Sequence, residues 1–388
     1  MGHGFASRAG RLETLSPETL SEPLNLLRLF SIADEKQLDV HPDALREAAQ
    51  RVRTITPAMR RQPEAAQLFL SLAASEHDPA RALRLMNEVG VLGRFLPEFG
   101  RIVAQMQFNM YHHFTVDEHT LRGIEVIADI EHGRAKVEHP LASDIFPKII
   151  NRRALYLAML LHDTGKGIGD QQVEGAKSAL TACGRLGLPA EEAELVAWLV
   201  GHHLVMSDVA QKRDLGDSRT VAQFAQTVGT LERLRLLLVL TIADIRAVGP
   251  GVWNGWKAQL LRDLYRLTEA ALHGGRTDEA AVAERLYAQA AESRASLAQG
   301  LSVEAQTRRA VWFSGLEDAS GLSCDEEALA WHAAGADAAL QDKSRVHVAV
   351  RPRPKFGVTE LLAIAPDRPG LFASLAAACA QAGADIAD

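Results

Sequence analysis

His162 and Asp163 stand side by side at the end of an almost wholly apolar run, Ala154-Leu155-Tyr156-Leu157-Ala158-Met159-Leu160-Leu161, and are followed directly by Thr164-Gly165-Lys166-Gly167. A carboxylate at the end of a buried helix needs a partner, because an unpaired one is costly to desolvate. A bound cation meets that need, and the adjacent imidazole supplies the nitrogen that transition metals prefer. The pair alone is not diagnostic, since backbone groups can also satisfy it. Its surroundings strengthen the case. Tyr111-His112-His113-Phe114-Thr115-Val116-Asp117-Glu118-His119-Thr120 opens another helical pattern upstream, and Arg235-Leu236-Leu237-Leu238-Val239-Leu240-Thr241-Ile242-Ala243-Asp244 is a second apolar helix closing on an acid. Three buried helices are therefore expected to deliver ligands to one metal site.

Helices must do the positioning over most of the chain. From Ser21 to about Gly100 apolar residues recur at helical spacing, as in Leu24, Leu27, Leu29 and Phe30, with Pro23, Pro42, Pro57, Pro63 and Pro79 at the boundaries. From about Phe108 to Gly274 the metal-type residues lie on further helices, with Gly165, Gly167 and Gly169 ending the central one and Pro189 opening the next. Thr277 to Ala339 is rich in Ala, Glu, Arg and Gln and favours helix, interrupted by a turn-like stretch at Gly315 to Cys324. The pattern then changes. Val346 to Arg351 alternates like a strand, Thr359 to Ala365 reads as a second strand, and Pro369 to Ala382 reads as a helix closed by Gly383.

The expected fold is mainly α, in four stretches: a helical region over 1–107, the metal-type helical bundle over 108–275, a helical connector over 276–345 and an α+β segment over 346–388. The 388 residues are 47% hydrophobic and 23% charged, as in ordinary globular proteins. No apolar run reaches the roughly 18 residues of a membrane span, and the start lacks a signal-peptide pattern, so a cytoplasmic setting without membrane contact is expected. A net charge of -7 offers no general attraction for nucleic acid and favours a protein partner. Cys183, Cys324 and Cys379 are odd in number and far apart, which fits packing residues better than disulfides or a cysteine zinc site.

The order His119, His162-Asp163, Asp244 resembles the HD superfamily of metal-dependent phosphohydrolases. Tyr111 to Thr120, His162 to Gly167, Ala197-Trp198-Leu199-Val200-Gly201-His202-His203-Leu204, Ala210-Gln211-Lys212-Arg213-Asp214 and Trp253-Asn254-Gly255-Trp256-Lys257 narrow it. They resemble the uridylyl-removing domain of the bifunctional PII uridylyltransferase/uridylyl-removing enzymes, nitrogen sensors of bacteria. Asn25 to Phe30, His41 to Leu45 and Arg84 to Glu88 extend the resemblance over most of the chain. Ala365-Pro366-Asp367-Arg368-Pro369-Gly370-Leu371-Phe372 is similar to the strand-to-helix turn of an ACT domain, a small βαββαβ amino-acid sensor, here cut short. Such a piece is expected to be poorly supported or to borrow contacts from the helical body. The family's nucleotidyltransferase domain uses a Gly-Ser motif followed by paired acids, and this sequence has no Gly-Ser dipeptide, so uridylyl transfer is not expected of these residues.

The resemblance implies a metal-dependent phosphodiesterase that takes UMP off a tyrosine of the PII signal protein, with glutamine as effector through the ACT domains and little or no glutamine response with so short a sensor. His119, His162, Asp163 and Asp244 are the implied metal ligands, with Asp163 also orienting water or bridging two ions. Manganese ranks first; Fe²⁺, Co²⁺ and Zn²⁺ also suit the mixed nitrogen and oxygen donors, and Mg²⁺ less well. Lys166 is expected either against the phosphate or solvated at a helix end. Of His202 and His203 only one can face the site, because successive helical residues diverge by about 100°, and the family pattern favours His203. Lys212, Arg213 and Lys257 are candidates for the nucleotide phosphate or an acidic partner surface, or form a solvated face. Trp198, Trp253 and Trp256 either stack on uracil or belong to the core. His112 and His113 are ambiguous.

One departure stands out. Gly169-Asp170-Gln171-Gln172 occupies the place where the family carries Asp-His-Ser after its glycine-rich turn, so a histidine able to bind a second metal is missing. A one-metal site or a weakly held second ion follows from this. Two other readings are open. One is a different HD hydrolase such as a (p)ppGpp hydrolase, disfavoured because Thr277 to Ala339 leaves no room for the domains those enzymes place there. The other is a non-catalytic helical scaffold with a sensor fragment.

Overall fold

The computed structural model describes residues 2–106, 114–273, 277–284, 288, 326–341, 346–353 and 358–384. Tyr111, His112, His113, Cys324 and the turn-like stretch at Gly315 to Cys324 lie outside the described residues. The chain is mainly α and divides into two compact units, Met1–Ser207 with Glu232–Val252, and Asp208–Leu231 with Trp253–Asp388.

The first unit begins with a feature absent from the sequence reading of 1–107 as helical. Strands β1 (Phe5–Arg8) and β2 (Arg11–Thr14) form an antiparallel hairpin, and β3 (Asp39–Val40) adds in parallel to β2. Its turn is Ala9-Gly10, both at positive φ (+49° and +77°), the backbone of a two-residue hairpin loop. Around it lie α1 (Asn25–Glu35), α2 (Pro42–Arg51), α3 (Pro63–Ala73), α4 (Pro79–Glu88) and the short α5 (Val91–Phe95) and α6 (Pro97–Gly100). Pro42, Pro63 and Pro79 each open a helix, where the missing N–H costs nothing. His41 Nδ1 accepts from Asp43 N, and Asp78 Oδ1 accepts from Arg81 N, capping α2 and α4. Leu26, Leu29, Phe30 and Ala33 form the buried stripe of α1 at i, i+3, i+4, i+7.

The remaining helices of this unit are α7 (Val116–Glu131), α8 (Pro140–Ile145), α9 (Arg152–Leu161), α10 (Gln171–Arg185), α11 (Ala190–His202), the start of α12 (Val205–Lys212) and, after an excursion of the chain, nearly all of α14 (Leu231–Val248). Helix α9 is the centre. Ala154 to Leu161 are all fully buried, because α3, α6, α7, α10 and α11 pack around them, and a helix apolar on every side has no solvent face to offer. Gly123 lets α7 cross α9 closely: a Cβ there would lie 2.0 Å from Met159 Cε. Arg152, the first residue of α9, is held from several sides. Its guanidinium donates to Ala74 O at 2.5 Å and Ser75 O at 2.8 Å and pairs with Glu131, which also accepts from Tyr156 Oη at 2.6 Å.

In the second unit α13 (Ser218–Val228) packs on α15 (Gly255–His273) through Val221, Ala222, Ala225, Leu267 and Ala271, with Val282 joining the cluster. Farther along, α16 (Glu326–Gln341) carries an antiparallel hairpin of β4 (His347–Arg353) and β5 (Val358–Ile364), registered Val350 to Leu361. Gly335 is where they touch; a Cβ would meet Leu362 Cδ2 at 2.5 Å and His347 Cδ2 at 3.1 Å. The opposite face of the hairpin leaves Val348, Val350 and Leu361 exposed, and α17 (Leu371–Gln381) has no buried residue.

Candidate metal centre

The end of α9 explains the geometry of its histidine. The last turn of a helix leaves carbonyls without intrahelical donors. His162 is the C-cap of α9, and its Nδ1 lies 2.8 Å from Met159 O, three residues back. A carbonyl can only accept, so Nδ1 carries the proton and Nε2 is left to face inward. His203 repeats the arrangement at the end of α11, with Nδ1 donating to Val200 O at 2.6 Å. The two rings meet edge to face with centroids 5.2 Å apart.

Nε2 of His162 meets Nε2 of His119, from α7, at 3.2 Å. Asp244, from α14, brings Oδ1 to 3.1 Å from His119 Nε2 and 3.6 Å from His162 Nε2. Asp163, in the turn just past α9, brings Oδ2 to 3.2 Å from His162 Nε2 and 3.6 Å from His119 Nε2. His119, His162 and Asp244 thus form one group with the geometry to hold an ion, and Asp163, the fourth residue expected to bind metal, reaches the same two histidines. His119, His162 and Asp163 are no more than 2% exposed, whereas the Asp244 side chain keeps 17%.

The electrostatics follow from this crowding. Burial opposes protonation of His162, but Asp163 and Asp244 outweigh it and push its pKa up to about 10. Burial likewise opposes ionisation of both acids. His162, Lys166 and His119 nevertheless hold Asp163 below the usual carboxylate range, and hydrogen bonding to His119 and His162 does the same for Asp244. Burial and the neighbouring His162 lower the pKa of His203, leaving it a neutral acceptor. Two inward imidazole nitrogens and two carboxylates, buried together, form a donor set that fits a divalent cation of the Mn²⁺ to Zn²⁺ series.

Lys166 meets Asp163 instead of standing free: its Nζ is 2.5 Å from Oδ2. Gln171, the first residue of α10, donates from Nε2 to Asp163 Oδ1 at 2.8 Å and sits 3.5 Å from His203 Nε2. Gly165 makes this approach possible, since a Cβ there would lie 2.2 Å from Gln171 O; Asp170 caps the helix by accepting from Gln172 N and Val173 N at 3.0 Å. His202 turns elsewhere, donating to Trp198 O and stacking on the Trp198 ring at 4.5 Å. Arg233 also lies over that ring, at 4.6 Å, so Trp198 has stacking partners within its own unit.

Lys212, Arg213 and Lys257 belong to the second unit. Lys212 pairs with Asp208 at 2.6 Å, and burial lowers the pKa of Lys257. The sequence reading did not anticipate the Met159 and Val200 carbonyls that orient the two histidines. A histidine placed one residue past an apolar helical run was the available signal.

Comparison with known proteins gives a consistent neighbourhood. The HD domain family model matches residues 116–247, and the model described as the third domain of uridylyltransferase GlnD matches residues 5–95. The bifunctional uridylyltransferase/uridylyl-removing enzyme of Phenylobacterium zucineum is 53% identical over 392 aligned residues, 99% of this chain and 40% of that protein. The protein of the same description from Caulobacter vibrioides is 51% identical over 99% of this chain and 40% of its own length, and that from Azospirillum brasilense 45% identical over 99% and 41%. The chain therefore spans about 40% of the length of the curated relatives it matches. No helix among the described residues is long and apolar enough to cross a membrane.

Proposed function

Because this chain belongs to the family of bifunctional uridylyltransferase/uridylyl-removing enzymes, we propose that it performs the hydrolytic half of that pair of activities: metal-dependent removal of UMP from the uridylylated tyrosine of the PII signal protein. The observation that carries the reading is the convergence of His119, His162 and Asp244, whose donor atoms lie 3.1 to 3.6 Å apart, with Asp163 Oδ2 3.2 and 3.6 Å from the same two imidazoles in the buried interior. Mn²⁺ is the proposed ion.

A divalent ion held by these four residues supplies Lewis acidity towards a phosphoryl oxygen and lowers the pKa of water near it. The chain's own groups do the rest. Met159 O keeps the His162 proton on Nδ1 and so presents Nε2 as a donor. Asp163 holds its carboxylate ionised between the imidazoles and Lys166, where it can accept a hydrogen bond from an attacking water and orient it. The Lys166 ammonium, one turn from Asp163, offers positive charge to the phosphodiester. Neutral His203 stands beside the cluster as a further contact for the substrate. Lys212, Arg213 and Lys257 are proposed to meet the nucleotide phosphate or an acidic surface of PII. Glutamine control belongs to the intact sensor of the family.

The test is release of UMP from uridylylated PII with Mn²⁺ present. The parent chain is expected to release it, and Asp163→Ala to be slower by on the order of 10³-fold. A folded, metal-loaded parent that releases no UMP would overturn the reading.

A further inference from the structure

Asp163 divides its two oxygens between different neighbours. Oδ2 faces the His119 and His162 imidazoles and accepts from Lys166. Oδ1 faces Gln171. On the far side of the Gln171 amide lies His203, whose Nδ1 proton is committed to Val200 O and whose Nε2 lone pair is therefore directed at the same amide nitrogen, 3.5 Å away. A carboxylate oxygen and an imidazole nitrogen on either side of one point are a ligand pair for a cation. Here that point is taken by a primary amide NH₂, which has two N–H donors, one for each acceptor, and no lone pair to give a metal.

We infer that the centre of this chain holds one divalent ion, because the Gln171 side chain fills the position between Asp163 and His203 at which a second would be bound. The inference rests on the metal-site reading above. The main chain that carries Gln171 is fixed. It is pressed against Gly165, and Asp170 caps the first turn of α10 on which Gln171 stands. Flipping the amide to offer Oε1 would set an oxygen against Asp163 Oδ1.

Charge points the same way. Asp163 and Asp244 contribute two negative charges and Lys166 one positive, so a single divalent ion leaves an excess of one. The negative charge of a phosphodiester matches that excess. A second ion would raise it to three in a pocket whose His119, His162, Asp163 and His203 are all at most 2% exposed, and buried charge without a counter-charge is strongly disfavoured.

The test is equilibrium dialysis of the purified chain against Mn²⁺, with metal analysis and electron paramagnetic resonance. The parent is expected to hold one ion with an uncoupled spectrum, and Gln171→His to hold two with a spin-coupled one. Gln171→Glu, which replaces the NH₂ by an acceptor oxygen, is expected to do the same and carries the test if the histidine variant does not fold. Two ions in the parent would overturn the inference and leave the metal-site reading intact. One ion in every folded variant would also overturn it, since Gln171 would then not be the reason. No ion in the parent would overturn both, and the count separates these failures.

Discussion

At the scale of the residue, His162 sets the pH behaviour. Without metal, a proton on its Nε2 is held by Asp163 and Asp244, and its pKa lies at about 10 instead of the ordinary 6.5. An incoming ion must displace that proton, so Mn²⁺ affinity should rise with pH, by up to about tenfold per unit below pH 10; calorimetric titrations between pH 6 and 8 check this. The same shift fixes the sign for stability. A raised pKa contributes stability that is fully present below 6.5 and is lost as pH rises through about 10, whereas the lowered pKa values of Asp163 and Asp244 contribute stability present above their ordinary 3.8 and lost on acidification. Chelator-treated protein should therefore lose melting temperature from pH 6.5 towards 10, and Mn²⁺ should remove that slope. The types of these residues were legible in the sequence because an acid or imidazole ending an apolar helix has few alternatives to a partner at the same place. Lys166 and Gln171 were also singled out, one for the phosphate and the other at the place of a histidine, but their contacts with Asp163 were not legible, because a polar turn carries no periodic pattern; only the fold shows both turned onto that carboxylate.

At the scale of the element, α9 is the part on which the site depends. Its position is fixed at the start by Arg152 and delivered at the end as His162 and Asp163. Glu131→Gln removes the charge that pairs with Arg152 while the two carbonyls remain. It is expected to cost about 2–3 kcal/mol, below the range for a fully buried pair because Arg152 and Glu131 keep 24% and 19% exposure. Tyr156→Phe, which loses one hydrogen bond to the same carboxylate, should cost about 1 kcal/mol. Urea unfolding of both variants measures the difference, and equal costs would mean that the charge of Glu131 contributes nothing beyond its hydrogen bonds. Sequence patterning found α9 because eight consecutive apolar residues leave no face for water, and it found the starts of α2, α3 and α4 from their prolines. It missed the β1–β2 hairpin. Strands of four residues offer too few alternations to reveal period two, and the Ala9-Gly10 turn lacks the Asn-Gly or Asp-Gly signal of such loops. The later hairpin was legible because His347 to Arg353 and Val358 to Ile364 are each seven residues long.

At the scale of the whole molecule, the centre belongs to one unit. All four proposed ligand residues, with Lys166, Gln171 and His203, come from Met1–Ser207 and Glu232–Val252, so the chain leaves this unit after Ser207 and returns to supply Asp244. The sequence order could not show that excursion, because nothing in the spacing between His203 and Asp244 distinguishes a helix of the same unit from α13, which packs with α15 in the other. The second unit holds the β4–β5 hairpin and α17, with Val348, Val350 and Phe372 exposed. Everything functional in this account requires that an ion sit among residues drawn from α7, the turn after α9, and α14. Crystals soaked in Mn²⁺ and measured at the manganese absorption edge test that most directly. The expected result is one anomalous peak about 2.0–2.3 Å from His119 Nε2, His162 Nε2 and an oxygen of each of Asp163 and Asp244, the range typical of such bonds. A peak elsewhere, or none at these four side chains at saturating Mn²⁺, would contradict it.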